Sequence, residues 1–458
     1  MNGAATARIL TDQVRGAVLL PGDAGFDARR KGFQTAYHHR PSVIVRPDGP
    51  EDVVAAVAHA AGAGLSVAAQ ATGHGLSFPL DGGVLVDTST LTGVTVDARA
   101  GTARVAAGTR FTDVVDAAAR HGLAPLNGSA PGVGAVGYVL GGGLGLLGRR
   151  FGWAADHVRA VEIVTPDARS RRVTADSDPG LFRALRGAGA NFGVVTAVEL
   201  ELVRISRIYG GELVFDLART PDLLERYLGW TRTLPEELTS SVSLVAYPDL
   251  PLFPARLRGR LAGHVRIAHT GDARSGECLA APLRAIGHLL SDTLAEMPYT
   301  ECGAIYDDPH MPHAYLGDNV LLRAVTPEQA AAVTELAGAP GPVPCVVDVR
   351  HLGGALGRQP AVPNVVGHRE ARYLLRVLVP LMGAEPDHAD RMRRAVLDTV
   401  AGQSVGGRCQ NLVYGRPPGP AEDFWEPADH RWLTGLKTRL DPANLFRCNR
   451  NIPPAAHG

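Results

Sequence analysis

Between about residues 41 and 205, short β-branched runs take turns with stretches of helical periodicity. The segment "SVIVRP" reads as a strand, "PEDVVAAVAHAAGAG" as an amphipathic helix opened by Pro50 and an acidic first turn, and "LSVAAQAT" as the next strand. Further strands fall in "GVLVDTS" and "GVTVDARAGTARVAAG", a helix in "RFTDVVDAAARHG", and two strands around a turn in "AVEIVTPDARSRRVTA". Between 128 and 152 glycine crowds in and both periodicities lapse. That stretch is expected to be loop and tight turn, packed against something that meets backbone rather than side chains.

From about 206 to 425 the texture changes. "GGELVFDL", "SSVSLVAYP", "GRLAGHVRIAHTG", "PCVVDVRHLGGAL" and "REARYLLRVLVPLMG" read as longer strands, with helices expected at 276–291 and 327–337. Long strands in series with intervening helices predict an antiparallel sheet covered on one face. In the tail "HRWLTGLKTRLDPANLFRCNRNIPP", a short helix is stopped by Asp441-Pro442. The expected class is α+β, divided into 1–205, 206–425 and a terminal segment 426–458.

Composition narrows the partners. A chain of 458 residues is too long for one ordinary core. Its 46 basic and 46 acidic residues cancel without forming like-charged blocks, which argues against nucleic acid and anionic membranes and for a small-molecule partner. Lys31 and Lys437 are the only lysines and neither follows a phosphate-loop glycine pattern, so a P-loop or lysine Schiff base has little footing. The five cysteines are odd in number and lack C-x-x-C spacing, as expected of reduced thiols in a cytoplasmic protein. Asp12 and Arg15 break the apolar start, and no run of about 18 uncharged apolar residues occurs, so neither a leader nor a membrane span is expected.

Gly143-Leu-Gly145-Leu-Leu-Gly148 fits G-x-G-x-x-G, but the preceding "GVGAVGYVLGG" is too glycine-broken for a buried parallel strand. A nicotinamide dehydrogenase therefore stays a minor alternative. No zinc-ligand spacing and no G-x-S-x-G occurs, so no metal is expected. Three glycine-rich stretches remain, at 71–75, 128–145 and 187–196. Each adjoins a strand, and together they offer backbone N–H groups suited to a diphosphate and a flat heteroaromatic ring. Within the first, His74 stands between two glycines.

The segments "RPSVIVRPDGPEDVVAAV", "ATGHG", "DGGVLVDTSTL", "VAAGTRFTDV", "APGVGAVGYVLGGGLGLLGRRFGWAADHV", "LFRALRGAGANFGVVTAVEL", "DVRHLGGAL" and "LDPANLFRCNRNI" run collinearly along nearly the whole chain. In them the chain resembles the FAD-linked oxidases of the vanillyl-alcohol oxidase and p-cresol methylhydroxylase superfamily, in the berberine-bridge-enzyme-like branch. The resemblance implies a two-part FAD-binding domain over 1–205, a substrate domain built on a large antiparallel sheet covered by helices over 206–425, and a segment 426–458 returning to the FAD domain. It implies FAD bonded through its C8 methyl to His74. Around the cofactor it implies Ala71, Thr72, Gly73, Gly75, Ser77, Gly128, Val133, Gly134, Gly137, Tyr138, Gly142, Gly145, Gly193 and Val195, with Asn449 and Asn451 from a tail folded back over the flavin. Ala130 stands where many relatives place a second tethering cysteine, so one covalent bond is expected. Gln70 replaces the usual arginine four residues before the tether, and Val133 is a small residue at the position that governs oxygen access, which favours an oxidase.

On the substrate side, Tyr138 falls near the expected pyrimidine edge of the flavin, where a phenol can hold substrate or stabilise ring charge; packing of a turn is the competing role. Strand alternation in "DVRHLGG" puts Asp348 and Arg350 on one face and His351 on the other. Asp348 is the candidate base and Arg350 the candidate clamp, against the alternative of a structural ion pair. The family's Y-x-N appears as "CQN", with Cys409 in place of tyrosine and Asn411 kept. Asn411, Tyr414 and Tyr306 are candidate substrate contacts. The expected reaction is hydride transfer from a small molecule to flavin N5 and reoxidation by dioxygen to peroxide, in tailoring a bacterial natural product. A monooxygenase or a dehydrogenase with another electron acceptor is the alternative.

Overall fold

The computed structural model describes residues 10–339, 345–381, 386–415 and 421–456. Residues 1–9, Pro344 and the end of the strand expected through Gly383 lie outside them. Three sheets organise these residues. The first contains β1 (Ala17–Leu19), β2 (Val43–Arg46), β3 (Val67–Gln70) and β4 (Val84–Asp87), with β2 and β3 both parallel to β4. Parallel pairing requires a crossover, supplied by α1 (Pro50–Ala63). This helix starts at Pro50 with Glu51 and Asp52 in its first turn and ends at Gly64 in the left-handed region, as the sequence predicts. Val53, Val57 and Ala60 pack on Val43, Val45, Val84 and Val86, and Leu445 and Phe446 from the tail join the same cluster. The C-terminal segment is therefore built into the first sheet's core.

The second sheet is antiparallel: β5 (Val94–Asp97), β6 (Thr102–Ala106), β9 (Val194–Glu201), β7 (Val158–Val164) and β8 (Ser170–Val173), in that spatial order. Beside it pack α2 (Phe111–Ala119) and the short α3 (Ala135–Leu140). The stretch 128–152 is thus not all loop, since it also contains a helical turn at Gly148–Phe151. Buried Ala135, Val136, Val139 and Leu140 make a one-sided helical stripe that the surrounding glycines conceal in the sequence.

The third sheet has eight antiparallel strands: β10 (Arg207–Asp216), β11 (Leu238–Ala246), β12 (Leu261–His269), β13 (Leu289–Asp292), β14 (Ala295–Pro298), β15 (Tyr315–Leu322), β16 (Val346–His351) and β17 (Tyr373–Pro380). One face, including Val242, Leu244, Val265, Val347, Val349, Leu375 and Val377, is buried under helices at Leu223–Thr231, Ala273–Arg284, Pro327–Ala337 and Pro386–Val400. The helix expected over 276–291 instead starts three residues earlier, where Asp272 caps the Ser275 amide, and ends at Arg284. Gly287 then passes against the Thr220 side chain and β13 follows, pairing with β10. The other sheet face carries the polar residues. Register places Glu212 opposite Arg266, Arg266 opposite Ser241, and Ser241 opposite Arg350. In the adjacent row, Ser243 faces Asp348 and Asp348 faces Arg376. Among the described residues, no helix is long and apolar enough to cross a membrane.

Candidate active site

The loop leaving β3 carries a row of free donors. Among the described residues, the backbone N–H groups of Thr72, Gly73, His74, Gly75 and Leu76 meet no protein acceptor. Those of Gly128, Ser129, Ala130 and Gly132 are likewise unpaired, as are the first-turn amides of Val136 and Gly137 in α3. Thr72 joins the two segments, because its Oγ1 accepts from the Gly134 amide at 3.3 Å. Gly73 has φ 68°, and a Cβ there would lie 2.5 Å from the Gly32 Cα, so the turn requires glycine. A Cβ on Gly75 or Gly137 would instead enter open space. Small residues and unpaired amides on two adjoining segments fit an anionic diphosphate and a flat ring system, so the chain's own donor set suits FAD. No cluster of metal-binding side chains occurs among the described residues.

His74 is positioned from several sides. Its ring stacks on Phe33, with centroids 3.9 Å apart and planes 13° apart. Its Nδ1 lies 2.8 Å from Thr72 Oγ1, and the Tyr315 hydroxyl donates to its carbonyl at 2.8 Å. Burial, helped by the Arg110 charge, lowers its pKa to about 4. The imidazole is therefore neutral near pH 7, the state in which a ring nitrogen can act as nucleophile. Asn449, itself at φ 68°, accepts from the Ser77 amide at 2.8 Å and donates to the Gly75 carbonyl at 3.1 Å, clamping this loop with the tail. The Asn451 Oδ1 is buried without a partner. The Gln70 side chain packs against Gly73 and donates to the Lys31 carbonyl at 3.1 Å.

The glycines at 128, 143 and 145 surround one ring. A Cβ at Gly128 would lie 3.1 Å from the Tyr138 ring, one at Gly143 2.6 Å from it, and one at Gly145 3.2 Å from its hydroxyl. Much of the G-x-G-x-x-G pattern is thus space for Tyr138, which meets Phe111 edge-on at 5.1 Å. Its buried hydroxyl has no partner, and burial raises its pKa, keeping it a phenol. Asn411 donates to the Tyr138 carbonyl at 2.7 Å across the bare Cα of Gly141. Gly142 adopts φ 103° beside Val366 and Trp153, and the Val133 carbonyl accepts from the Phe111 amide at 3.1 Å. Ala71 lies against Gly134, whereas Gly193 packs on the Val164 carbonyl and Val195 is buried in β9 opposite Ile163.

On the polar sheet face, Asp348 is fully buried. It accepts from Ser243 at 3.0 Å and Arg350 Nε at 2.8 Å, with Arg376 Nη2 at 3.4 Å. Burial alone would raise its pKa, but the two guanidiniums hold it below the usual carboxylate range. Such a carboxylate is a weak proton acceptor and a firm anchor for arginine. The Tyr306 hydroxyl bonds Ser241 at 2.6 Å, while Arg266 and Arg350 lie over its ring at 4.7 and 5.3 Å. Arg376 donates to the Tyr414 hydroxyl at 3.3 Å, and Tyr414 meets Tyr315 edge-on at 5.1 Å. The His74 loop is thereby linked to the ion-paired sheet face. A narrow cleft lies between that face and the 144–146 loop, bordered by Arg266, Arg350, Tyr306 and apolar side chains such as Leu146, Ile305 and Leu356. His351 points away and contacts Arg149.

Sequence reading missed Phe33, Tyr315, Arg266, Arg376 and Ser243. A lone arginine within the apolar runs "HVRIAH" and "LLRVLV" was an available signal; Phe33 offered none.

A model of the FAD binding domain matches residues 41–174. The (R)-6-hydroxynicotine oxidase of Paenarthrobacter nicotinovorans is 28% identical over 467 residues, covering 96% of this chain and 97% of that protein. The crystal structure of 6-hydroxy-D-nicotine oxidase from Arthrobacter nicotinovorans superposes with a TM-score of 0.82 at 25% identity, covering 96% of this chain and 98% of the other. A chitooligosaccharide oxidase shares the fold with a TM-score of 0.86 at 20% identity, covering 99% and 100%.

Proposed function

Because this chain belongs to the FAD-linked oxidases of the vanillyl-alcohol oxidase and p-cresol methylhydroxylase superfamily, we propose that it is an oxidase carrying FAD on His74 through a single covalent bond. FAD, when bound, accepts a hydride from a substrate C–H bond and returns two electrons to dioxygen, giving hydrogen peroxide. The chain's residues supply attachment, orientation and electrostatics.

The unpaired amides of 72–76, 128–130 and 132 would hold the diphosphate, and Gly75, Gly134 and Gly137 would let the cofactor approach main chain. Phe33, Thr72 and Tyr315 fix the loop and ring of His74, and its lowered pKa keeps the attacking nitrogen unprotonated. Asn449 closes the tail over that loop. Ala130 cannot form a second thioether. Tyr138 presents a protonated hydroxyl with no protein partner, suited to donate to an oxygen of the substrate or to the ring system. Arg350 clamps substrate, and Asp348 positions Arg350. Asn411, Tyr306 and Tyr414 complete the pocket walls, and Val133 leaves room for dioxygen. The substrate is a small molecule, and tailoring of a bacterial natural product in the cytoplasm is the role we assign.

The observation that carries this reading is a neutral, half-buried histidine within a run of amides unpaired among the described residues. Purified protein should be yellow, the colour should stay with the chain after acid denaturation, and His74→Ala should release it. Free colour from the parent protein contradicts the tether. One peroxide per substrate oxidised identifies an oxidase; a shortfall with oxygen in the product identifies a monooxygenase.

A further inference from the structure

The sheet face opposite the helices holds more positive charge than its own acids cancel. Arg266 pairs with Glu212, and Arg350 and Arg376 pair with Asp348; farther off, Arg256 acts on Glu212 and Asp308 on Arg376, and these two opposite charges offset each other. His264, which contacts Glu212, does not add to the cationic side, because burial lowers its pKa. The arginines are almost enclosed, and their hydrogen-bonding capacity is only partly spent: Arg266 donates to Ser243 at 2.7 Å and Arg376 to the Tyr414 hydroxyl at 3.3 Å. Arg350 uses Nε on Asp348 and, among the described residues, leaves both Nη groups without a protein acceptor. Among the described residues the buried Nε atoms of Arg266 and Arg376 form no hydrogen bond, although Arg266 Nε lies 3.5 Å from the Glu212 carboxylate. Guanidinium donors left unmet away from bulk water are costly unless a ligand meets them. Two of these arginines border the cleft, stacked on Tyr306, while the remaining wall is largely apolar.

We propose that this cleft binds a molecule with one carboxylate and an otherwise apolar body, its carboxylate held by the Nη groups of Arg350 with support from Arg266 and Arg376. The excess of one positive charge matches a monoanion. The planar fork of arginine matches two coplanar carboxylate oxygens, and the apolar wall matches the body. A sugar would leave the guanidiniums unneutralised, and a phosphate dianion would over-neutralise them. The proposal deepens the oxidase reading by naming its substrate class, and so rests on that reading only for the chemistry that follows binding.

Isothermal titration calorimetry on the purified yellow protein compares 2-naphthoate with 2-naphthamide and 2-naphthyl phosphate, and 4-phenylbutyrate with its amide. Each acid should bind about tenfold or more tighter than its amide, as charged hydrogen bonds in an enclosed site imply. Arg350→Met should remove the preference and Arg350→Lys should keep part of it. Arg376→Met provides the same test should the first variant fold poorly, and the acid–amide comparison stands on the parent protein alone. Equal binding of acid and amide, preference for the phosphate, no binding by any of these probes, or an acid preference untouched by both methionine variants overturns the proposal. Acid-stable colour reads the flavin tether separately, so failure of one is not failure of the other.

Discussion

The His74 loop and the polar face of the eight-stranded sheet are linked through Tyr315, Tyr414 and Arg376 but are built from opposite materials. The loop offers main chain: five successive unpaired amides, glycines at 73 and 75, and a histidine whose neighbours leave its ring approachable. The sheet face offers long charged side chains, locked by Asp348 and Ser243 into fixed positions. Backbone recognition tolerates little added bulk but stores little electrostatic energy. A buried ion network tolerates no missing partner.

That contrast is broken most severely by Asp348→Ala. Leaving Arg350 and Arg376 buried without their carboxylate should cost about 3–5 kcal/mol, read as a lower urea midpoint with unchanged slope. A midpoint near the parent's would mean the network is looser than its geometry. On the loop side, Gly75→Ala puts a methyl into open space, so stability should stay within about 0.5 kcal/mol while the flavin-to-protein absorbance ratio falls.

Acid separates the two regions next. Asp348 has a lowered folded pKa, so its contribution to stability is full above the unfolded value of about 4 and is lost as pH falls through the folded one. Asp348→Asn should therefore flatten the acid limb of a stability–pH curve below about pH 4. His74 titrates near 4 rather than at 6.5, so covalent incorporation of FAD into apoprotein should proceed as readily at pH 5.5 as at pH 7 and fail on approaching pH 4. Incorporation that halves near pH 6.5 would show the ring to be better solvated than its packing implies. The smallest expected change is Val133→Leu, which should slow reoxidation by oxygen several-fold while leaving anaerobic flavin reduction alone.

The same contrast explains what could be read in the chain. Alternation and capping located β2, α1, β3 and the helix at Pro327–Ala337, because each is decided within a few neighbouring residues. The loop's bare main chain was legible for a similar reason: backbone left free of side chains announces itself as glycine. The run from 128 to 152 hid α3, since glycine that makes room for Tyr138 also breaks the periodicity that would reveal a helix. The sheet face was legible only in part. Asp348 and Arg350 share one strand, but Ser243 is 105 residues from Asp348, and Arg376 reaches it only through the register of β16 and β17. Phe33 stacks on His74 through a contact that no local pattern encodes.

The central claim, that FAD is held on a neutral histidine against bare main chain, is tested most directly by mass spectrometry of the proteolytic peptide containing position 74, from protein produced with ample riboflavin. The account predicts that this peptide carries the mass of one flavin, lost in His74→Ala, and that no cysteine-containing peptide carries another. An unmodified position 74 in fully folded yellow protein would contradict it.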